Sequence, residues 1–335
     1  MRIVPRRIIK SSLVARLVTG SALIFITGSC ARPRATPASS TASELTGKFR
    51  TTGIYGLDDR HDLFEETNPL IRQLAQSTVA IINTSDLSPQ ANGSVIVNTR
   101  TLGEAQGLCP EERFREQDTA PFCSGFLISP DTIVTAGHCV SDESDCAQIS
   151  VAFGFSLNTA GSSVKTLERN EIYKCARIIH AEVPKRIPLP KPIPDQSTTI
   201  PSGPDFSIFT LDRPVRGHQP LKWRNTGTPE LSSDVFVIGH PSGLPTKVAG
   251  GAKIRKLNPP AYFTTNLDTY GGNSGSPVFA QNTLEVEGIL VRGGSDYVYQ
   301  SEQRCRASVR CPDDQCRGED VMSITEIIKH LKATP

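Results

Sequence analysis

The sequence predicts an all-β fold closed by one C-terminal helix, and three observations carry that expectation. Short β-branched runs recur with turn residues between them, a loop holding seven prolines interrupts the series, and only the last segment spaces its apolar residues as a helix does.

The elements follow in order. Residues 1–30 carry Arg2, Arg6, Arg7, Lys10 and Arg16 without an acid, then an apolar stretch over 17–26 and Thr27-Gly28-Ser29-Cys30, the layout of an export signal. The stretch is shorter than the about 20 apolar residues of a membrane span, so a permanent helical anchor is not expected. Residues 31–53 begin rich in Ala, Thr, Ser and Pro and read as a disordered linker or propeptide. The folded unit is expected over 54–335. Strand-like runs occupy 77–83, 93–98, 122–129, 132–135, 149–155 and 173–180, so a first half spans about 70–190. The loop from Pro184 to Pro204 reads as the boundary, because its prolines oppose both helix and ladder pairing. The rhythm resumes at 206–211, 235–238, 247–252, 262–267, 276–279, 286–291 and 296–299, giving a second half over about 205–322. Ser323, with Glu326 three residues on and apolar residues at helical spacing, predicts an amphipathic helix over 323–333.

Taking the five cations of residues 1–30 from the formal +2 leaves −3 for the remainder. With no basic stripe interleaved with aromatics, nucleic acid is not an expected partner. Neither a coiled coil nor a repeat is visible, so a monomer is expected.

Three segments carry chemistry. Gly271-Gly272-Asn273-Ser274-Gly275-Ser276-Pro277 sets a serine in a glycine-lined turn, where the amides of Gly272 and Ser274 could serve as an oxyanion hole. Thr132-Ile133-Val134-Thr135-Ala136-Gly137-His138-Cys139 is a strand-like run ending on a histidine suited to act as general base. Pro204-Asp205-Phe206-Ser207-Ile208-Phe209-Thr210-Leu211 heads an alternating strand with a carboxylate that could hold the His138 Nδ1 proton. Ser276 is the rival nucleophile, but Pro277 and the apolar residues after it place it at the start of a strand. His61, His180, His218, His240 and His330 have no comparable setting and read as surface or structural.

These segments resemble the trypsin/chymotrypsin superfamily of serine peptidases, whose triad runs His, Asp, Ser. The Gly-Asn-Ser-Gly-Ser-Pro form, and Leu57-Asp58-Asp59-Arg60-His61 ahead of the first strand, resemble its bacterial branch near the glutamyl endopeptidases. The resemblance implies two six-stranded antiparallel β-barrels of chymotrypsin type with a C-terminal helix. It also implies an exported endopeptidase acting on polypeptides through His138, Asp205 and Ser274, without a cofactor. The alternative is a catalytically inactive binding protein of the cell envelope on the same scaffold.

The nine cysteines are Cys30, Cys109, Cys123, Cys139, Cys146, Cys175, Cys305, Cys311 and Cys316. Cys30 stands where a bacterial lipoprotein is acylated, which would attach the chain to a membrane; otherwise it leaves with the signal. The other eight suffice for four disulfides. By resemblance Cys123 pairs with Cys139, and sequence leaves the pairing of the remaining six open. Cys305, Cys311 and Cys316 lack zinc-knuckle spacing, so no metal is expected.

Specificity is read by resemblance too. Asp268, six residues before Ser274, matches the acid at the base of the primary pocket in trypsin-like enzymes and suggests cleavage after Arg or Lys. The segment Val286–Gly294 resembles the strand that binds substrate backbone, with Val291 and Gly293 as contacts. Arg292, in the same segment, would either neutralise Asp268 or lie outside the pocket. Glutamyl endopeptidases carry a histidine where this chain has Leu290, which argues against acidic specificity. Asn273 replaces the aspartate that pairs with a new terminal ammonium in the digestive enzymes, so any trimming near residues 52–54 would act without that charge switch.

Overall fold

The computed structural model describes residues 53–188, 199–258 and 261–331. The export signal, Cys30 and nearly all of the linker therefore lie outside the described residues. No helix among the described residues is long and apolar enough to cross a membrane.

Six strands close the first barrel: β1 (Thr78–Asn83), β2 (Cys123–Ser129), β3 (Thr132–Thr135), β4 (Ile149–Ala152), β5 (Ile172–Glu182) and β6 (Phe206–Leu211). Their hydrogen-bonded order is β4-β5-β6-β3-β2-β1, and β1 returns to β4. Six more form the second: β7 (Asp234–Gly239), β8 (Lys247–Asn258), β9 (Tyr262–Thr265), β10 (Pro277–Ala280), β11 (Val286–Arg292) and β12 (Glu319–Ser323). They run β7-β10-β11-β12-β9-β8, closed by the β7–β8 pairing. Closure removes the unpaired edges that an open sheet would expose. The strands of both barrels bury the β-branched and aromatic residues of the predicted runs on both faces, among them Phe126, Val134, Ile208 and Phe209 in the first and Val237, Phe263 and Val278 in the second.

Four expectations are corrected. The proline loop does not divide the barrels: β6 follows it and pairs with β3 and β5, so the first barrel runs to Leu211 and the second begins at Asp234. Nor does proline exclude pairing there, since Lys185–Pro188 and Thr199–Ser202 form an antiparallel ladder. The run at 296–299 is no barrel strand; Tyr297–Gln300 pairs with Cys305–Ser308 in a separate hairpin, and the sixth strand is β12, which has no counterpart among the predicted runs. The terminal helix is a short one, Ile324–Ile327, without a side-chain cap from Ser323, whose hydroxyl meets that of Thr325 at 2.9 Å instead.

Cys123 and Cys139 are joined, and the other pairs are Cys109–Cys305, Cys146–Cys175 and Cys311–Cys316. On the chain-entropy account a loop the size of the Cys123–Cys139 one contributes about 3 kcal/mol. The N-terminal segment is built into the second barrel: His61–Asp62 adds a strand to β8, and the buried Lys247 ammonium pairs with Asp62, contacts Gln117 and lies 4.6 Å from the Phe114 ring centroid. Burial pulls Lys247 down to about 8.

Candidate active site

The register of the first barrel brings His138 and Asp205 together. Ser207 pairs with Thr135 across β6 and β3, which sets Asp205 beside the turn that carries His138. Asp205 is buried, and one of its oxygens accepts the His138 backbone N–H at 3.0 Å while the other meets Nδ1 at 2.9 Å. The carboxylate thus fixes both the backbone and the ring of one residue, holding the proton on Nδ1 and leaving Nε2 as the basic nitrogen. Gly137 is required by packing, since a Cβ there would lie 1.9 Å from the Glu182 carbonyl oxygen. The His138 side chain stays 39% exposed, as a group that exchanges protons with a substrate must.

The Ser274 turn is seated by the second barrel and gripped by the first. Gly272 and Gly275 have φ of 93° and 86°, values that favour glycine. Gly275 N–H donates to Leu290 O at 2.7 Å, tying the turn to β11. From β2, the Ser124 amide donates to the Ser274 carbonyl at 2.9 Å and the Ser124 hydroxyl to the Gly272 carbonyl at 2.8 Å. The Gly271 carbonyl accepts from Ser242 N and the Asn273 carbonyl from Ser276 N. Because a trans peptide points its N–H opposite its C=O, the amides of Gly272 and Ser274 face away from these bonds. Neither donates to another backbone group in the described turn, as an anion-binding pair requires.

Cys139 Sγ lies 3.7 Å from the Ser274 carbonyl oxygen, and a Cβ on Gly275 would sit 2.2 Å from the Thr135 hydroxyl. The Ser274 turn therefore abuts the turn carrying His138. Among the described residues no hydrogen bond joins the Ser274 hydroxyl to His138; such bonds commonly tighten only with substrate in place. The rival Ser276 is fully buried and donates to Asn273 Oδ1 at 3.2 Å, which removes it as a nucleophile. Asn273 is thereby a brace within the turn. His240 is also structural: it is buried, its Nδ1 donates to Leu244 O at 3.0 Å, and burial lowers it to about 4.

Asp268 departs from its expected role. Its carboxylate is buried and accepts the backbone amides of Tyr55 at 2.7 Å and Asp59 at 2.8 Å. It anchors the N-terminal segment, and burial pushes it up to about 7 against those two donors. The contact comes from an internal amide, with Ile54 N–H itself bonded to Val309 O, so no charged terminus is involved. Val291 is likewise buried and does not line the neighbouring cavity, whereas Gly293 does.

That cavity, about 120 Å³, is lined by Thr269, Leu290, Gly293, Asp296 and Glu319 and opens at Ser274. Two acids lie there, Asp296 and Glu319, the latter at the head of the strand missed from sequence. A Cβ on Gly293 would lie 1.9 Å from a Glu319 carboxylate oxygen, and the Thr269 hydroxyl donates to that carboxylate at 2.8 Å. Arg292 also lines the cavity, with its guanidinium 4.7 Å from the Tyr262 ring centroid and 3.7 Å from Asp320. On the other side of the Gly271-Gly272 turn a larger cleft, about 520 Å³, is lined by Asn98, Arg100, Phe122 and Ser242.

A family model described as the trypsin-like peptidase domain matches residues 123–289, which contain His138, Asp205 and Ser274. The chain belongs to the trypsin-like peptidases. It is similar to the glutamyl endopeptidase of Bacillus licheniformis, 27% identical over 190 residues that make up 52% of this chain and 54% of that one, so it spans about half the length of that curated relative. Among solved structures, a Glu endopeptidase in complex with MPD has 18% identity and a TM-score of 0.43, covering 84% of this chain and all of that one. A protease from M. tuberculosis in its active form has 16% identity and a TM-score of 0.42, covering 85% and 91%.

Proposed function

We propose that this trypsin-like peptidase is an exported serine endopeptidase. His138 Nε2 takes the proton of Ser274 as its oxygen attacks a peptide carbonyl, and the amides of Gly272 and Ser274 bind the oxyanion. His138 then protonates the departing amine, and water repeats the sequence to release the acyl group from Ser274. Asp205 holds the imidazole tautomer and stabilises the imidazolium. The chemistry calls for no cofactor, and the substrates are polypeptides. The observation that carries this reading is the buried Asp205 bonded twice to His138 beside a turn whose Gly272 and Ser274 amides have no backbone acceptor among the described residues.

The proposed preference is for Arg or Lys on the acyl side of the scissile bond, with Glu319 in place of Asp268 as the acid that meets the cation. The support is positional: Asp268 accepts two amides of the N-terminal segment and does not line the cavity at Ser274, while Glu319, which accepts from the Thr269 and Tyr55 hydroxyls, does. Export rests on the basic and then apolar residues 1–30, and four disulfides fit an oxidising compartment. Lipidation of Cys30, a propeptide over 31–53 and a monomeric state complete the proposal.

A panel of fluorogenic peptides differing only at the residue before the cleaved bond tests it. Turnover of the Arg and Lys members at least tenfold above the Glu, Phe and Ala members is expected. Preference for Glu would move the chain to the specificity of its bacterial relative and rule out Glu319 as the acid that meets a substrate cation.

A further inference from the structure

Outside the Ser274 site, three donor atoms converge from distant parts of the sequence. His180 and Glu182 lie two apart on β5 and so point to one side of the strand. His330 comes from the turn after the terminal helix. His180 Nε2 is 3.2 Å from Glu182 Oε1, His330 Nε2 is 3.9 Å from the same oxygen, and one ligand atom from each of the three residues lies within 4.8 Å of the others. The two imidazoles stack with centroids 4.0 Å apart, and the Phe206 ring packs against both at 5.5 and 5.3 Å. Each side chain is about a third exposed, so an ion can reach it from solvent.

We propose that His180, Glu182 and His330 form a zinc-type metal site with three protein ligands and an open fourth position. Two imidazoles and a carboxylate are a donor set that Zn²⁺ takes. Ligand distances of about 2.0–2.1 Å in a tetrahedron put donor atoms about 3.3 Å apart. The His180–Glu182 separation already meets that figure, whereas the two stacked imidazoles, 4.0 Å apart between centroids and 22° from parallel, must splay so that both nitrogen lone pairs meet at one ion. The nearby Lys329 ammonium is held by Glu326 at 2.7 Å rather than by Glu182.

The location gives the ion a task. Glu182 and Phe206 pair across β5 and β6, the Glu182 carbonyl packs on Gly137, and Phe206 follows Asp205. A bound ion would clamp the segment that follows the second barrel onto the first-barrel wall holding His138 and Asp205. The other His/Cys cluster, Cys123, His138 and Cys139, is no rival, because both sulfurs are consumed in a disulfide.

Calorimetric titration of the mature, metal-stripped protein with Zn²⁺ at neutral pH tests the site, with thermal unfolding followed in parallel. One ion per chain and a Zn²⁺-dependent rise in Tm are expected. His180→Ala and His330→Ala should each weaken binding at least tenfold and remove the Tm rise, while His61→Ala, which alters an imidazole paired with Glu66 elsewhere, leaves both unchanged. Fluorophosphonate labelling of Ser274 in the metal-free variants reports that they remain folded. Absence of binding to the parent protein, or unchanged affinity in the two folded variants, would overturn the proposal.

Discussion

The two halves of the candidate site are built by different means. On the first-barrel side, His138 and Asp205 come from adjacent strands, and one carboxylate fixes the histidine through its backbone and its ring. On the second-barrel side, the cavity beside Ser274 is assembled from the β9–β10 loop, the end of β11 with the residues after it and the last barrel strand, and the N-terminal segment braces it through the Tyr55 hydroxyl, which donates to Glu319 at 3.4 Å. The first arrangement is a local consequence of strand register. The second depends on pieces more than 200 residues apart, with Asp268 and Tyr55 separated by 213. The His138–Asp205 pair is thus fixed by local register, and the wall beside Ser274 by contacts between distant segments.

The sharpest way to break the contrast is at the first-barrel half. Asp205→Asn should lower kcat by about 10⁴-fold with little change in KM, because the amide favours the wrong imidazole tautomer. A loss below tenfold would mean that the His138–Asp205 pair is structural.

Next is the exchange of duties between the two acids. Glu319→Gln should cut kcat/KM for Arg and Lys peptides by about 10- to 100-fold, the worth of one charge-assisted hydrogen bond. Asp268→Asn should leave the ratio of Arg to Ala substrates within about threefold. If the effects are reversed, the pocket acid is Asp268 and the sequence-based expectation stands.

How legible each half was follows from the same contrast. His138, Asp205 and Ser274 sit in short motifs with small neighbours at fixed offsets, so they could be read one segment at a time. Strand β12, Glu-Asp-Val-Met-Ser, has no clean alternation and acquires its identity only by pairing with β9 and β11. Without it Glu319 had no place. Asp268 lay at the right offset, but no local signal told that Tyr55 and Asp59 would occupy both its oxygens. The proline loop misled for a related reason: proline forbids a donor at one position, and the Lys185–Pro188 ladder forms around that position. His180, Glu182 and His330 converge only in three dimensions, and no spacing in the sequence announces them.

Two smaller effects sharpen the picture. Ser124→Ala removes the hydroxyl that donates to the Gly272 carbonyl and accepts the His240 amide, and kcat should fall about tenfold while substrate affinity changes little. Ser124 joins the barrels at the Ser274 turn, so an unchanged kcat would show the turn to be self-supporting.

The smallest effect is on stability against pH. Asp268 is raised to about 7, so between about 4 and 7 the folded protein keeps a proton that the unfolded chain has released. Its contribution to stability therefore declines as pH rises through that window. Asp268→Asn should flatten this part of the Tm–pH curve, and an identical slope in the variant would show that Asp268 does not titrate there.

The central claim is that Ser274 is an activated nucleophile, and fluorophosphonate labelling of the mature protein tests it most directly. The account predicts stoichiometric labelling that disappears in Ser274→Ala and slows strongly in His138→Ala, with both variants folded. Labelling that persists in Ser274→Ala, or a folded parent protein that does not label, would contradict it.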